Sequence, residues 1–394
     1  MSESLPLLRL NPNAERRLRV GHAWVFSNEV DTTRTPLKGL TPGQLVNVVD
    51  ARARSVGTAY VNPNSLIAAR LLTRHADAVI DLDWVLRRLT VARDLRDSIY
   101  PEPFYRLVYG ESDGLPGLVV DRYDDVLVMQ VATAGMDRLQ PLVVQALQSL
   151  FEPRGILLRN DGGARELEAL PATVKTMGEV PDKLQVIESG VRFEVLARSG
   201  QKTGWFYDQR DNRDRLARYV RGARVLDVFS YVGAWGVRAL AAGAQSVTCV
   251  DSSQVALDLA QANAQLNGFE LEARRGDALD QLKLLRAEGR QFDVVVVDPP
   301  ALIKRKKDHE AGLEHYAALN RAALQVLAPG GTLVACSCSF HLAPEDLQRV
   351  LLREVRHAQG RLMILEQGGQ GPDHPVHPAI PETRYLKAFY CRLA

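Results

Sequence analysis

The run FDVVVVDPP, Phe292 to Pro300, decides the fold. A stretch this apolar has no polar side to turn to water, so it reads as a strand buried on both faces, as in a parallel sheet covered by helices. From about residue 190 it has companions: RVLDVF, SVTCVD and LEARRGD before it and TLVACSCS after it, each separated by a helix-sized insert. Alternating strands and helices predict a parallel α/β sheet. Asp227, Asp251, Asp277 and Asp298 close these strands at intervals of 24, 26 and 21 residues. One strand-helix unit is about that long, so all four carboxylates are expected at the carboxyl edge of the sheet, where open α/β sheets bind ligands. Singly, each could be a helix cap.

The first turn, DVFSYVGAWG, contains Gly233 and Gly236 but no G-x-G-x-x-G, which disfavours a dinucleotide and with it a dehydrogenase. A ligand without phosphate, offering a carboxylate to the helix N-terminus and ribose hydroxyls to Asp251, fits better. S-adenosylmethionine has those parts, and Asp277 could accept a hydrogen bond from its adenine amino group. The cofactor is therefore assigned to Asp227, Phe229, Ser230, Tyr231, Gly233, Asp251, Asp277, Ala278 and Asp298. In the following helix, SSQVALDLAQANAQLNG, Ser252 or Ser253 is the expected cap. Val255, Leu259, Ala262 and Leu266 are the expected core face, and Gly268 the stop.

Pro299 and Pro300 stiffen the loop after Asp298 and expose backbone carbonyls, suiting a planar substrate held against a methyl donor. At the next strand end stand Cys336 and Cys338, two of the chain's four cysteines. A buried small hydrophobe is the ordinary reading of such a residue. A metal is disfavoured because only His341 is near and Cys391 is remote, so no metal is expected. The remaining role is nucleophile. Carbon-5 of a pyrimidine becomes reactive once a thiolate adds to carbon-6, with Asp298 hydrogen-bonding the ring near N3. A free thiol is mostly protonated at neutral pH, so a cation is needed, and Lys202 and Arg210 are the candidates.

The chain has 394 residues with 46% hydrophobic and 24% charged residues and a net charge of +2, a globular composition that predicts more than one domain. Residues 1–75 carry ten Lys and Arg against five Asp and Glu, residues 76–185 twelve against eighteen, and residues 186–394 twenty-seven against twenty-four. The first segment alternates short β-like runs with turn signals such as Thr41 to Gly43, predicting a small strand-rich barrel. Its basic excess is compatible with nucleic-acid binding. A helix is expected from Asp81 to Tyr100, then a strand-turn-strand unit turning at Tyr123 to Asp125. No apolar run is long enough for a bilayer, and the N-terminus lacks the order of a signal peptide, so a cytoplasmic protein with reduced thiols is expected and no membrane partner.

With these residues in view, the chain resembles bacterial large-subunit rRNA cytosine-5 methyltransferases that carry an N-terminal PUA domain. The resemblance runs end to end. It includes GHAWVFSNEV at Gly21 to Val30, YGESDGLPGLVVDRY at Tyr109 to Tyr123, GQKTGWFYDQRDNR at Gly200 to Arg213, VFSYVGAWGV, VDSSQVALDLA, VVDPP, SCS at Ser337 to Ser339, DHPV and YLKAFYCR. It implies a PUA barrel over 1–75, a central α/β linker domain over 76–185 and a Rossmann-like class I methyltransferase domain over 186–394, with a seventh, antiparallel strand at AFYCRL. It further implies that Cys338 is the nucleophile, Asp298 its partner and Cys336 packing. Large-subunit rRNA would be the partner, contacted by Lys202, Arg210, Pro299 and Pro300, and a homodimer is left open. Ala301 stands where many RNA cytosine-5 methyltransferases place a second cysteine, so the base that removes the carbon-5 proton is unassigned. The basic run Lys304 to Lys307 reads equally as a grip on phosphates or as a solvated loop. Methylation of a guanine nitrogen, and a non-catalytic role in RNA binding or ribosome assembly, stand as alternatives.

Overall fold

A computed structural model describes residues 5–358 and 360–394. The chain forms two compact units. The first comprises residues up to Leu184 together with Leu196–Trp205 and Pro372–Thr383; the second comprises Gln185–Val195, Phe206–Gly371 and Arg384–Ala394.

The first unit holds two sheets. Strands β1 (Leu7–Arg9), β2 (Trp24–Phe26), β3 (Leu45–Val49), β4 (Ser55–Val61) and β5 (Ile67–Thr73) form a five-stranded sheet in the order β1-β3-β4-β5-β2, with helix α1 (Glu15–Arg19) between the first two strands. Helix α2 (Leu82–Asp97) is capped by Asp81, whose side chain accepts the Trp84 amide. A second sheet follows, built from β6 (Phe104–Tyr109), β7 (Leu118–Tyr123), β8 (Val126–Val131), β9 (Gly155–Asn160) and β10 (Thr173–Gly178) in sequential order, with helix α3 (Ala134–Phe151) crossing from β8 to β9. The expected turn is present between β7 and β8, with Asp124 at φ 57°. Strands β11 (Lys183–Glu188) and β12 (Val191–Leu196) make a hairpin.

Residues 1–75 and 76–184, which the sequence reading assigned to two domains, lie in the first unit. Two segments placed in the third by the sequence reading also belong to the first unit. The buried Arg159 guanidinium donates to the carbonyls of Ala197 and Gly200, and the Tyr123 hydroxyl to that of Thr203. Arg96, fully buried, pairs with Asp113 and donates to the Asp373 carbonyl.

The second unit takes in most of that hairpin, then helix α4 (Arg210–Leu216), and continues as β13 (Arg224–Val228), α5 (Ala234–Ala241), β14 (Ser246–Asp251), α6 (Gln254–Leu266), β15 (Glu272–Arg275), α7 (Ala278–Ala287), β16 (Phe292–Val297), α8 (His309–Val326), β17 (Leu327–Ser337), α9 (Pro344–Glu354), β18 (Leu362–Gly368) and β19 (Lys387–Leu393). The sheet order is β15-β14-β13-β16-β17-β19-β18. β19 runs antiparallel to both neighbours and the other pairs are parallel, as expected for the class I arrangement. Val294 to Val297 are at most 1% exposed, and burying each contributes about 1.5–3 kcal/mol. Chain direction reverses its course across the sheet between β13 and β16, so a ligand crevice is expected at their carboxyl ends.

One helix face is corrected. Ser253 caps α6 as expected, but the buried residues are Ala256, Leu257, Leu259, Ala260, Asn263 and Ala264, while Val255 is 61% exposed. The phase shifts because a polar residue faces inward. Asn263 donates to the carbonyls of Glu194 and Val232 and accepts the Glu194 amide.

Candidate active site

The four aspartates do gather at the carboxyl edge. Asp227 sits one residue before the end of β13, Asp251 ends β14, Asp298 follows β16, and Asp277 caps α7 just past β15. Their environments differ sharply. Asp227 is fully buried; one oxygen accepts the Gly236 amide at 3.0 Å, and the other, Oδ1, has no partner among the described residues. Burial pushes its pKa up to about 7. Asp251 accepts the amides of Tyr231 and Ser253, one on each oxygen. Asp277 is exposed and spends Oδ1 on the Leu279 and Asp280 amides, leaving Oδ2 to a ligand. Ala278 is buried at the start of α7.

The turn after β13 is strained. Phe229 and Tyr231 adopt left-handed φ values of 66° and 48°, uncommon for bulky side chains and frequent at ligand sites. Gly233 has φ 79°, and a Cβ there would stand 2.9 Å from that of Ala260, so this glycine serves the turn and the packing of α6. Ser230 Oγ is buried without a partner among the described residues. Unmet acceptors at Asp227 and Ser230 and spare lone pairs on Asp251 suit a ligand bearing an ammonium group and ribose hydroxyls. The donor set therefore fits S-adenosylmethionine.

Asp298 is held by residues to which the sequence reading gave no role. Gln209 Nε2 donates to both its carboxylate oxygens at 2.9 Å, and the Trp235 indole donates to Oδ2 at 3.0 Å. Gln209 is itself oriented by Asn212, which donates to its Oε1 at 2.7 Å and to the Gly369 carbonyl. Gln209 and Asn212 lie inside the motif Gly200 to Arg213 and Trp235 inside GAWG, so the motif's specificity was the available signal. Burial nevertheless dominates and pushes the Asp298 pKa up to about 6, opposed by the indole hydrogen bond and reinforced by the charge of Asp208.

The two thiols part company. Cys336 is 2% exposed inside β17, opposite Ala388 of β19, and burial pushes its pKa well up. Cys338 lies just past the strand and is partly exposed, whereas the other three cysteines are buried. Its Sγ points at the Pro299 carbonyl, 3.8 Å away, the residue after Asp298. Pro299 is buried and Pro300 exposed, so the first proline's carbonyl meets the thiol and only the second faces outward.

The flanking serines fix this placement. Tyr316 of α8 hydrogen-bonds to Ser337 Oγ at 2.8 Å and to Ser339 Oγ at 3.0 Å, and Ser339 Oγ accepts the Ile303 amide at 3.1 Å. A cation near the nucleophile's loop is Lys387 on β19. Its ammonium donates to the Ser339 carbonyl at 2.6 Å; burial draws its pKa down to about 8, and the charge of Cys338 acts to raise it. Of the two expected cations, Arg210 is buried with its Nε 3.8 Å from Glu188 and its guanidinium over the Tyr207 ring, and Lys202 adopts a left-handed φ of 51°.

Comparison with known proteins follows this geometry. The profile of a PUA-like domain matches residues 8–74, and that of S-adenosylmethionine-dependent methyltransferases matches residues 170–391. Proteins named ribosomal RNA large subunit methyltransferase I from Erwinia tasmaniensis and Yersinia pestis are 37% and 38% identical to it over 98% of this chain and 99% of theirs. A solved structure described as a SAM-dependent methyltransferase from Streptococcus mutans shares the fold, with a TM-score of 0.82 at 20% identity over 98% of this chain and 100% of that one. Another, a methyltransferase complexed with SAH, gives a TM-score of 0.83 at 21% identity with the same coverage. This chain carries a PUA-like domain and belongs to the S-adenosylmethionine-dependent methyltransferases, in the family of the ribosomal RNA large subunit methyltransferase I proteins.

Proposed function

We propose that this protein methylates carbon-5 of a cytosine in large-subunit ribosomal RNA through a covalent bond to Cys338. The observation that carries the reading is the partly exposed Cys338 thiol, aimed at the peptide that follows Asp298. The names of the relatives supply the RNA class, and the PUA-like domain is in keeping with it.

The bound cofactor supplies an electrophilic methyl group. Asp227, Ser230, Tyr231 and Asp251 would hold it, with Phe229, Gly233, Asp277 and Ala278 beside them. Cys338, as thiolate beside Lys387, adds to carbon-6 of the cytosine. Burial raises the Asp298 pKa to about 6, which favours its protonated form, and in that form it can deliver a proton to N3 as the thiolate adds. Charge on the ring is then neutralised and carbon-5 becomes an enamine carbon able to take the methyl group. Loss of the carbon-5 proton to a base returns the electron pair to the ring, expels the thiolate and leaves N3 to give its proton back to Asp298. Gln209 and Trp235 hold the carboxyl group in place throughout, and Pro300 faces outward beside the base. Because the base must leave its stack to reach the site, the reaction also carries an unstacking cost of a few kcal/mol.

The test is a pair of substitutions assayed on large-subunit rRNA, with the methylated position read by nuclease digestion and mass spectrometry. Cys338→Ala is expected to abolish 5-methylcytosine while S-adenosylmethionine still binds by calorimetry, and Cys336→Ala to retain it. Undiminished methylation by Cys338→Ala would point instead to transfer onto a ring nitrogen, which needs no thiol.

A further inference from the structure

The segment on the far side of Cys338 carries features the reaction does not use. Phe340, two peptide units or at most about 7 Å of chain from the thiol, is 37% exposed. Its ring stands edge-on to His341 at 5.2 Å. A surface cavity of about 630 Å³ is lined by His341 together with Lys306, Lys307, His309 and Glu310. Lys304, Lys306 and Lys307 are exposed, and among the described residues no carboxylate lies within ion-pair distance of them. Asp308 instead neutralises Arg305, at 2.9 Å. The basic segment is tied to the nucleophile's loop by the bond from the Ile303 amide to Ser339 Oγ, so the two sides of the cavity keep a fixed relation to Cys338.

We infer that this surface seats the single-stranded RNA next to the methylated nucleotide, with a neighbouring base on Phe340 and its phosphates on Lys306 and Lys307. The inference rests on the reading that the substrate is RNA and adds where its strand runs. An unpaired base expelled from a stack leaves neighbours with exposed faces, and aromatic side chains flanked by free cations are how proteins hold such strands. Ammonium groups with no carboxylate at ion-pair distance among the described residues, near a partly exposed ring, match that chemistry.

The test uses the full chain and a labelled single-stranded cytosine-containing RNA, with affinity read by fluorescence anisotropy across a salt series. Phe340→Leu is expected to weaken binding at least about fivefold and Phe340→Trp to restore it, since stacking survives in any aromatic. Lys306→Ala with Lys307→Ala is expected to flatten the plot of log affinity against log salt by about 1.4, two phosphate contacts' worth on a single strand. Equal affinity and equal slope for wild type and variants would overturn the inference, as for a surface that takes an acidic protein. Affinity is read without turnover, so a failure of the carbon-5 reading would leave these outcomes intact and would be recognised separately by the position of the methyl group.

Discussion

Cys336 and Cys338 are separated by one residue, and their chemistry is set by where β17 stops. Inside the strand a thiol is desolvated and its ionisation suppressed; one step past it, Cys338 meets solvent, the Pro299 carbonyl and the field of Lys387. The strand pattern alone makes both cysteines candidates, and it was the resemblance at SCS that singled out Cys338 and left Cys336 to packing. Lys387 was not legible, because its role depends on β19 pairing antiparallel with β17, with Lys387 opposite Ser337. A cation next to a thiol favours the thiolate. Replacing it therefore raises the thiol's pKa and moves reactivity to higher pH. Lys387→Met is expected to shift the midpoint of iodoacetamide alkylation at Cys338 upward by about one unit. The pH at which kcat/KM rises should move the same way; an unmoved midpoint would remove Lys387 from the mechanism.

At the scale of elements, the loop Ser337 to Ser339 is pegged from two sides. Tyr316 reaches from α8 to both serine hydroxyls, and the Ile303 amide reaches from the loop after Asp298. The loop that carries the sulfur and the loop that follows Asp298 are thus tied together. Tyr316→Phe keeps the ring and removes the shared hydroxyl, costing about 0.5–1.5 kcal/mol for each hydrogen bond lost while each serine oxygen keeps an amide donor. It is expected to lower kcat at least about tenfold at unchanged cofactor affinity, since misplacement of about 1 Å can cost a hundredfold. Equal kcat in Tyr316→Phe and wild type would show the peg to be idle. The strands themselves were legible because a two-sided apolar run has few other homes. The face of α6 was not, since Asn263 looks like a surface residue until its partners on Glu194 and Val232 are known.

For the whole molecule, the spacing of four aspartates and the valine run revealed the parallel sheet and its carboxyl edge, and the resemblance gave the antiparallel strand at AFYCRL. The grouping into two units was not legible, because it rests on contacts remote in sequence. Arg96 reaches Asp373 across 277 residues, and Arg159 reaches Ala197 across 38. Nor was the support of Asp298 by Gln209 and Trp235, which brings together residues 89 and 63 positions away. The central chemical claim is a transient bond between Cys338 and the base. Large-subunit rRNA containing 5-fluorocytidine tests it directly, because fluorine at carbon-5 cannot be removed as a proton and the adduct persists after methyl transfer. Mass spectrometry of the digested complex is expected to find the nucleotide joined to the peptide bearing Cys338 only when S-adenosylmethionine is present, and to find none with Cys338→Ala. Methylated RNA formed with no such crosslink, or a crosslink at another residue, would contradict the account.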